Sequence, residues 1–291
     1  MARVRCRFRS IVSIALLVVP PVVALRTIHL IDPPPGMAQR SIERFYNETR
    51  SFLCRDCPPW PTPLAIAYSA RPGKQGTPLL PEWGGGGAFG PDSIVVMPGP
   101  NPVLGPALET VTRHEVVHVV LFEICGTTAI PRWFHEGAAI LLAGELSPGG
   151  LQALARSIVW KGAPTFAQVE RVNERDREQA AALYAFSHAA VTFMVQNWGQ
   201  EVLALVVAGC GKDQTFGESV DAVVGLTLPE LEGLVRGFVA RRYGILFWLL
   251  DVHHLWVLTA VLAVTAFVVT LIRRRIRMGK MEEGEAAGGQ E

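Results

Sequence analysis

Residues 112–121 of the chain read TRHEVVHVVL and place His114 and His118 four positions apart, with Glu115 directly after the first histidine. Side chains four positions apart lie on one face of a helix, so the two imidazole rings can reach a common point. One zinc ion bound at about 2.0–2.1 Å by both rings fits that separation. The glutamate is placed to accept a proton from a zinc-bound water. The HExxH spacing therefore predicts a metal site, against the alternative of three polar residues on a half-exposed helix face.

A catalytic zinc ion needs a third protein ligand and an open fourth position. Glu136 lies 18 positions after His118, in the stretch PRWFHEGAA of residues 131–139, which predicts the start of the next helix. Two helices joined by a short connection can bring this carboxylate beside the two rings, and Gly137 would let the second helix approach closely. His135 is the competing ligand, but adjacent side chains leave a helix about 100° apart, so both cannot easily face the ion.

The composition gives no indication of a nucleic-acid partner. The chain has 291 residues, a net charge of +1 and 49% hydrophobic residues. Its mean hydropathy of +0.28 is high for a soluble enzyme, and the excess is concentrated near the two ends. Neither an internal repeat nor a DNA- or RNA-binding signature is found.

Both ends of the chain carry membrane signals. Residues 255–272 are uncharged and follow the apolar stretch ILFWLL, so residues 245–272 predict a transmembrane helix, and the basic-then-acidic tail 273–291 is expected in the cytoplasm. At the other end, four arginines precede the apolar residues 11–25, which makes residues 1–25 a signal peptide or signal anchor. The residues between the two apolar segments are therefore expected on the extracytoplasmic side of the cell membrane, in a protein that crosses it once or twice.

Four of the five cysteines fall in this exported part, namely Cys54, Cys57, Cys125 and Cys210, whereas Cys6 lies in the N-terminal segment. Cys54 and Cys57 have the spacing of a redox or zinc-knuckle pair, but no second such pair exists. A structural disulfide or two free thiols is the better interpretation, and the sequence does not choose among the three possible pairings.

Strands precede helices along the exported part, which indicates an α+β fold, a small sheet followed by a helical lobe. Residues 26–62 are rich in proline and predict a linker with one short helix near 41–52. Strands are predicted at 63–70 and 93–100, separated by a loop whose glycine run 84–87 is placed to border the cleft. Helices are predicted at 107–125, from 131, from 151, at 180–197 and in two short segments before residue 244.

The order of these blocks resembles the peptidase MA-like domain, a branch of the gluzincin zinc metallopeptidases related to thermolysin-like and aminopeptidase-type enzymes. The resemblance rests on TRHEVVHVVL, PRWFHEGAA, LYAFSHAAVTFMVQNWG and TFGESVDAVVGLTLPELEGLV, and covers residues 63–243. It implies a zinc ion held by His114, His118 and Glu136, with Glu115 as the general base.

Two departures from that family pattern stand out. Thermolysin-like enzymes place an aspartate four residues after the glutamate ligand to orient a ligand histidine, and here that position is Ile140. The Gly-x-Met-Glu-Asn motif of aminopeptidases has no match, since the corresponding region reads GGGGAFGPDS. The second departure argues against removal of amino-terminal residues and leaves endopeptidase activity or an unknown specificity.

A metallopeptidase also needs a donor for the oxyanion that forms during peptide hydrolysis. Tyr184 is the best-placed tyrosine in a helix after the metal motif, and His188 lies four residues later on the same helix face. Either side chain can serve, and relatives of this type often use a tyrosine. The alternative for both residues is ordinary helix packing or exposure to solvent.

These residues predict a membrane-anchored zinc metallopeptidase that hydrolyses peptide bonds of a protein or peptide outside the cytoplasm, in contact with membrane lipid and not with nucleic acid. Glu115 would remove a proton from water and pass it to the leaving amine. The alternative function is a zinc-bearing envelope domain that binds a partner without catalysis. An intramembrane protease is excluded, because Glu109, Arg113 and Glu123 interrupt the apolar stretch around the motif.

Overall fold

A computed structural model describes residues 26–68, 85–97, 108–126, 130–145, 147–173, 176–210, 214–244 and 252–288. The predicted N-terminal segment 1–25 and residues 245–251 of the predicted span lie outside the described residues. The elements in chain order are β1 (Ile28–Ile31), α1 (Gln39–Leu53), β2 (Leu64–Tyr68), β3 (Gly86–Ala88), β4 (Ser93–Val96), α2 (Leu108–Cys125), α3 (Arg132–Ala143), α4 (Pro148–Lys161), α5 (Phe166–Glu170), α6 (Arg177–Trp198), α7 (Glu201–Cys210), α8 (Phe216–Val224), α9 (Leu228–Tyr243) and α10 (Val252–Gly288).

The four strands form one sheet in the order β1-β2-β4-β3, in which β3 alone runs antiparallel to its neighbour. Alternate side chains of β2, Leu64, Ile66 and Tyr68, are buried against the helices, as the period of two along a strand requires. The predicted strands β2 and β4 are confirmed. The α+β class is confirmed as well, since the sheet is followed by a helical lobe.

Two strands were not predicted from the sequence. The first, β1, lies in residues 26–62, which were interpreted as a linker, and it pairs in parallel with β2. The second, β3, lies in the segment interpreted as loop, where Gly86 and Gly87 mask a strand because glycine has low strand propensity. The antiparallel pairing with β4 stabilises this strand despite the low propensity of its glycines. Helix α4 also begins before the predicted residue 151, because Ser147 caps it by accepting a hydrogen bond from the Gly150 amide at 3.2 Å.

A buried network of charges ties the start of the described chain to helix α2. The Arg26 guanidinium lies 2.5 Å from Glu123 and 2.8 Å from Asp92, and the side chains of Arg26 and Glu123 are each 2% exposed. Tyr46 of α1 donates its hydroxyl to Glu123 at 2.8 Å, and Arg50 adds a second cation at 3.3 Å. Residues before β2 are therefore part of the folded unit that carries the metal motif.

Helix α2 is the centre of the helical lobe. It packs against the sheet, α1, α3 and α7. Hydrophobic side chains on most of its surface are therefore fully buried, among them Val116, Val117, Val119, Val120 and Leu121. Buried packing on all sides holds the helix that carries the two motif histidines in one position.

Helix α10 differs from all the others in its exposure. Within the described chain it contains the one helix that is long and apolar enough to cross a membrane, Trp256–Arg275, with a mean hydropathy of 2.1 and none of it buried. Trp256, Leu262 and Phe267 are each more than 60% exposed. Large apolar side chains so exposed to water are costly, so length and composition fit a membrane span.

Candidate metal centre

Helices α2 and α3 bring three possible metal ligands together. The Nε2 atoms of His114 and His118 lie 3.0 Å apart, as expected for rings one helical turn apart. Glu136, in the first half of α3, places Oε2 3.5 Å from His114 Nε2 and 3.7 Å from His118 Nε2. The three side chains are only 11–15% exposed.

These distances fit a tetrahedral ion. Ligands at about 2.0–2.1 Å from zinc in that geometry are separated from each other by about 3.4 Å, and the three pairs observed here are separated by 3.0, 3.5 and 3.7 Å. Among the described residues, these three form the one group of histidine, cysteine or acidic side chains with ligand atoms all within 4.8 Å. Two imidazoles and one carboxylate are also a donor set that suits zinc and leaves a fourth position for water.

Glu115 lies beside this group and is covered by the edge strand β3. A Cβ atom added at Gly86 would lie 3.0 Å from Glu115 Cγ, so the absence of a side chain on that residue makes room for the glutamate. The Ala88 amide donates a hydrogen bond to the Glu115 carboxylate. Burial, followed by the nearby charges of Glu136 and Glu145, raises the pKa of Glu115 to about 7, while the charge of His114 opposes this shift.

The three candidate ligands shift one another's pKa values. Burial alone would raise the pKa of Glu136, but the hydrogen bond from His114 and the charges of His118 and Arg132 bring this pKa down to about 2. Burial disfavours the charged form of His114, yet hydrogen bonds to Glu136 and Glu145 raise its pKa well above the usual 6.5. The pKa of His118 is well below 6.5, because burial and the neighbouring His135 both disfavour its cation. The carboxylate and at least one neutral ring are the forms that bind a metal.

The structure connects Tyr184 with the centre and gives His188 no comparable contact. Arg132 donates a hydrogen bond to the Tyr184 hydroxyl at 3.0 Å, and its Nε atom lies 3.7 Å from Oε1 of Glu136. The nearest polar contact of His188 in the described chain is with Thr192 on the same helix, at 3.4 Å, and its Nδ1 is buried without a hydrogen-bond partner there. Tyr184 is therefore the better-placed of the two candidate donors.

The comparison with known families agrees with this geometry. The model of the Peptidase MA superfamily matches residues 61–241, which is more than half of the chain and includes every residue of the centre. The chain belongs to the peptidase MA superfamily. A search against curated protein sequences finds no match. Membership in the superfamily indicates a peptidase-like domain over residues 61–241. It agrees with the resemblance that the sequence motifs indicate.

Ile140 stands where thermolysin-like enzymes have an aspartate that orients a ligand histidine, and its apolar side chain cannot replace that carboxylate. Another acidic residue lies beside His114 instead. Glu145 places Oε2 2.6 Å from Nδ1 of His114. Sequence reasoning missed this residue because it lies just beyond the end of α3, where no motif marks it. The remaining signal was Gly144, a helix-ending glycine with φ of 70°, which turns the chain back toward α2.

Two further residues of the centre have roles that the sequence did not indicate. His135, the competing candidate ligand, is not one of the three clustered side chains, and its ring meets that of His118 edge to edge, with the Nδ1 atoms 2.5 Å apart. Arg132 was not considered at all, although its position four residues before Glu136 places it on the same face of α3. A sequence search for cations one turn from a ligand would have found it.

Proposed function

We propose that the chain is a zinc-dependent metallopeptidase, an endopeptidase anchored in the cell membrane with its catalytic domain on the extracytoplasmic side. The observation that carries the proposal is the cluster of His114, His118 and Glu136 beside Glu115, whose buried carboxyl has a pKa of about 7. A general base is most effective when its pKa lies near the working pH. The cluster and this base occur together in a chain of the peptidase MA superfamily.

The zinc ion would be held by His114, His118 and Glu136, and when bound it supplies a Lewis acid that makes a water molecule acidic near neutral pH. The proton of the attacking water is taken by a carboxylate oxygen of Glu115. The same carboxyl then gives the proton to the amide nitrogen that leaves. The amide of Ala88 and the lack of a side chain at Gly86 hold Glu115 in one orientation for both transfers.

Tyr184 is the proposed donor to the oxygen of the attacked carbonyl. Its hydroxyl oxygen accepts a hydrogen bond from Arg132 at 3.0 Å, so a cation lies directly beside the phenol. An adjacent cation makes a phenol a stronger donor, and donors aimed at a developing oxyanion contribute roughly 3–4 kcal/mol each. His188 is retained as a second candidate, since burial lowers its pKa and keeps the ring neutral.

Strand β3 supports a peptide or protein substrate. Among the described strands it pairs with β4 on one side only, so its other edge has main-chain groups that an extended peptide can pair with. The strand also borders Glu115 directly. A peptide paired with this edge would pass beside the general base.

The proposed topology places residues 26–243 outside the cytoplasm and the tail 273–291 inside. Helix α10 supports it, because the last three residues of the span Trp256–Arg275 begin an arginine cluster, and such clusters stay in the cytoplasm. The disulfide between Cys54 and Cys57 agrees with an oxidising compartment for the domain, whereas Cys125 and Cys210 are buried thiols.

The test compares the full-length protein, purified in detergent, with its Glu115→Gln variant. Zinc content is measured, and a mixture of unfolded proteins is searched by mass spectrometry for new amino termini. We expect one zinc ion per chain in both, and cleavage slower by several orders of magnitude in the variant, because glutamine cannot accept the proton. Glu109→Gln, on the same helix but paired with Arg113, is the matched control and should cleave like the wild type. Equal cleavage by Glu115→Gln and wild type would favour the non-catalytic binding domain instead.

A further inference from the structure

The two histidines of the candidate centre make unlike contacts with their outer ring nitrogens. Both rings direct Nε2 toward Glu136, which leaves each Nδ1 facing the surrounding protein. A histidine that binds a metal through Nε2 carries its proton on Nδ1 and donates it to a partner, which fixes the ring in one orientation. The identity of those partners decides how firmly each ligand is held.

For His114 the neighbour is Glu145, whose Oε2 lies 2.6 Å from Nδ1 as an ion pair, while Nδ1 has no partner in hydrogen-bond geometry among the described residues. The geometry at the end of α3 brings this carboxylate into place. Gly144 adopts a left-handed conformation, and the amides of Gly144 and Glu145 bond back to Leu141 and Ile140 at 3.3 and 3.0 Å. This Schellman arrangement reverses the chain within two residues and points Glu145 at α2.

For His118 the partner is another histidine. The Nδ1 atoms of His118 and His135 lie 2.5 Å apart, and the ring centroids are 4.6 Å apart with the planes inclined by 20°, so the two rings meet edge to edge through these nitrogens. Phe122, one turn after His118, contacts the ring of His135 as well, with centroids 5.0 Å apart. A contact between two ring nitrogens needs one donor and one acceptor. If His118 donates its Nδ1 proton, His135 must accept through an unprotonated Nδ1 and carry its own proton on Nε2.

We infer that His135 and Glu145 are positioning residues that orient the ligands His118 and His114, one through an imidazole and the other through a carboxylate. The inference rests on the metal site of the proposed function. It also explains why His135 and Glu136 can be neighbours in the sequence and still have different roles. The Glu136 side chain leaves the helix toward the Nε2 atoms of the candidate ligands, and the His135 side chain leaves it toward Nδ1 of His118. Loss of such an outer contact typically weakens metal affinity about 10–100-fold without removing a ligand.

The test measures the zinc dissociation constant of the full-length protein in detergent by competition with a chromogenic chelator. The variants are Glu145→Gln, which keeps the shape but loses the charge, and His135→Phe, which keeps a planar ring at this position but loses the nitrogen acceptor. Matched controls are Glu178→Gln, in an exposed ion pair with Arg156, and His29→Phe, on the exposed face of β1. A second readout is the unfolding temperature of each chelator-treated chain.

We expect both positioning variants to bind zinc about 10–100-fold more weakly, to reach one ion per chain at saturating zinc, and to unfold like the wild type once zinc is removed. The controls should match the wild type throughout. Wild-type zinc affinity in both positioning variants would overturn the inference and leave the peptidase proposal intact. A wild type that binds no zinc would overturn the proposed function and this inference with it.

Two milder variants decide the same question if one of the first pair does not fold. Glu145→Asp and His135→Gln each retain an acceptor at a different distance from the ligand ring. Zinc affinity between that of the wild type and that of the corresponding first variant would support a positioning role. Zinc affinity equal to wild type in both milder variants, beside first variants that do not fold, would assign the two residues to stability alone and overturn the inference.

Discussion

Gly137 faces the main chain of α6 so closely that a Cβ atom at this position would lie 2.3 Å from the carbonyl oxygen of Ser187. The residue directly follows Glu136, the proposed third ligand, so the contact that joins α3 to α6 also positions that carboxylate. The sequence correctly indicated a close helix approach at this glycine. The partner, however, is α6 and not the motif helix α2.

Gly137→Ala should therefore destabilise the fold and weaken the metal site together. A main-chain oxygen cannot move away as a side chain can, so we expect a loss of about 1–3 kcal/mol in the free energy of unfolding, as for an overpacked core. Zinc affinity should fall as well, because α3 must shift. Denaturant unfolding and chelator competition measure the two effects.

Gly233→Ala is the matched control for that change. Gly233 is also in a helix, α9, but a Cβ atom there would meet nothing within 4 Å. Because alanine has the higher helix propensity, we expect this control to be stabilised by roughly 0.5–1 kcal/mol. A loss of stability in Gly233→Ala equal to that in Gly137→Ala would show that the contact with Ser187 does not govern the result, because a Cβ atom at Gly233 meets no neighbour.

The stability of the zinc-free protein should depend on pH through Glu115. Its pKa is about 7 in the folded protein and ordinarily 4.5, so folding favours the protonated carboxyl. A raised carboxyl pKa contributes stability fully below pH 4.5, and this contribution is lost as the pH rises through 7. The loss amounts to roughly 3 kcal/mol.

Glu115→Gln removes that titration, so the difference in unfolding free energy between the variant and the wild type should grow between pH 4.5 and 7 in favour of the variant. Unfolding curves of the chelator-treated chains at several pH values measure it. A difference that stays constant over this range would contradict a raised pKa for Glu115.

Arg26→Ala should destabilise the protein strongly, although the ion pairs of Arg26 are with Asp92 and Glu123 and not with the candidate ligands. Removal of the guanidinium leaves the carboxylate of Glu123, 2% exposed, with less compensation, and breaking a buried pair costs about 3–5 kcal/mol. Arg156→Ala is the control, because its ion pair with Glu178 is exposed and such pairs contribute at most about 1 kcal/mol. Similar losses in both variants, measured by denaturant unfolding, would contradict a dominant role of burial.

The proposed topology predicts where a fused reporter works. A reporter enzyme that is active only outside the cytoplasm should be active when fused after Gly244 and silent when fused after Glu291, because the arginines at 273–275 hold the end of α10 inside. A reporter active only in the cytoplasm, fused at the same two sites, is the control and should show the opposite pattern. Activity of the first reporter at residue 291 would show that the C-terminal tail lies outside the cytoplasm, contrary to the proposed orientation of α10.

Local patterns of the sequence were sufficient for the parts of the protein that depend on near neighbours. The two histidines lie one turn apart because helical geometry requires it, and helix α2 was expected at 107–125 and is found at Leu108–Cys125. The apolar span near the C-terminus follows in the same way from an uninterrupted hydrophobic run. These features depend on residues a few positions apart, whose relation is set by backbone geometry alone.

Contacts between distant parts of the chain had to come from the folded structure. Arg26 meets Glu123 across 97 positions, β1 needs β2 as a partner, and the glycines of β3 form a strand only beside β4. The partner of His114 is Glu145, 31 positions later and outside any helix, because the turn at Gly144 directs it there. Such contacts depend on how whole elements pack, and packing is the sum of many weak interactions that no short motif records.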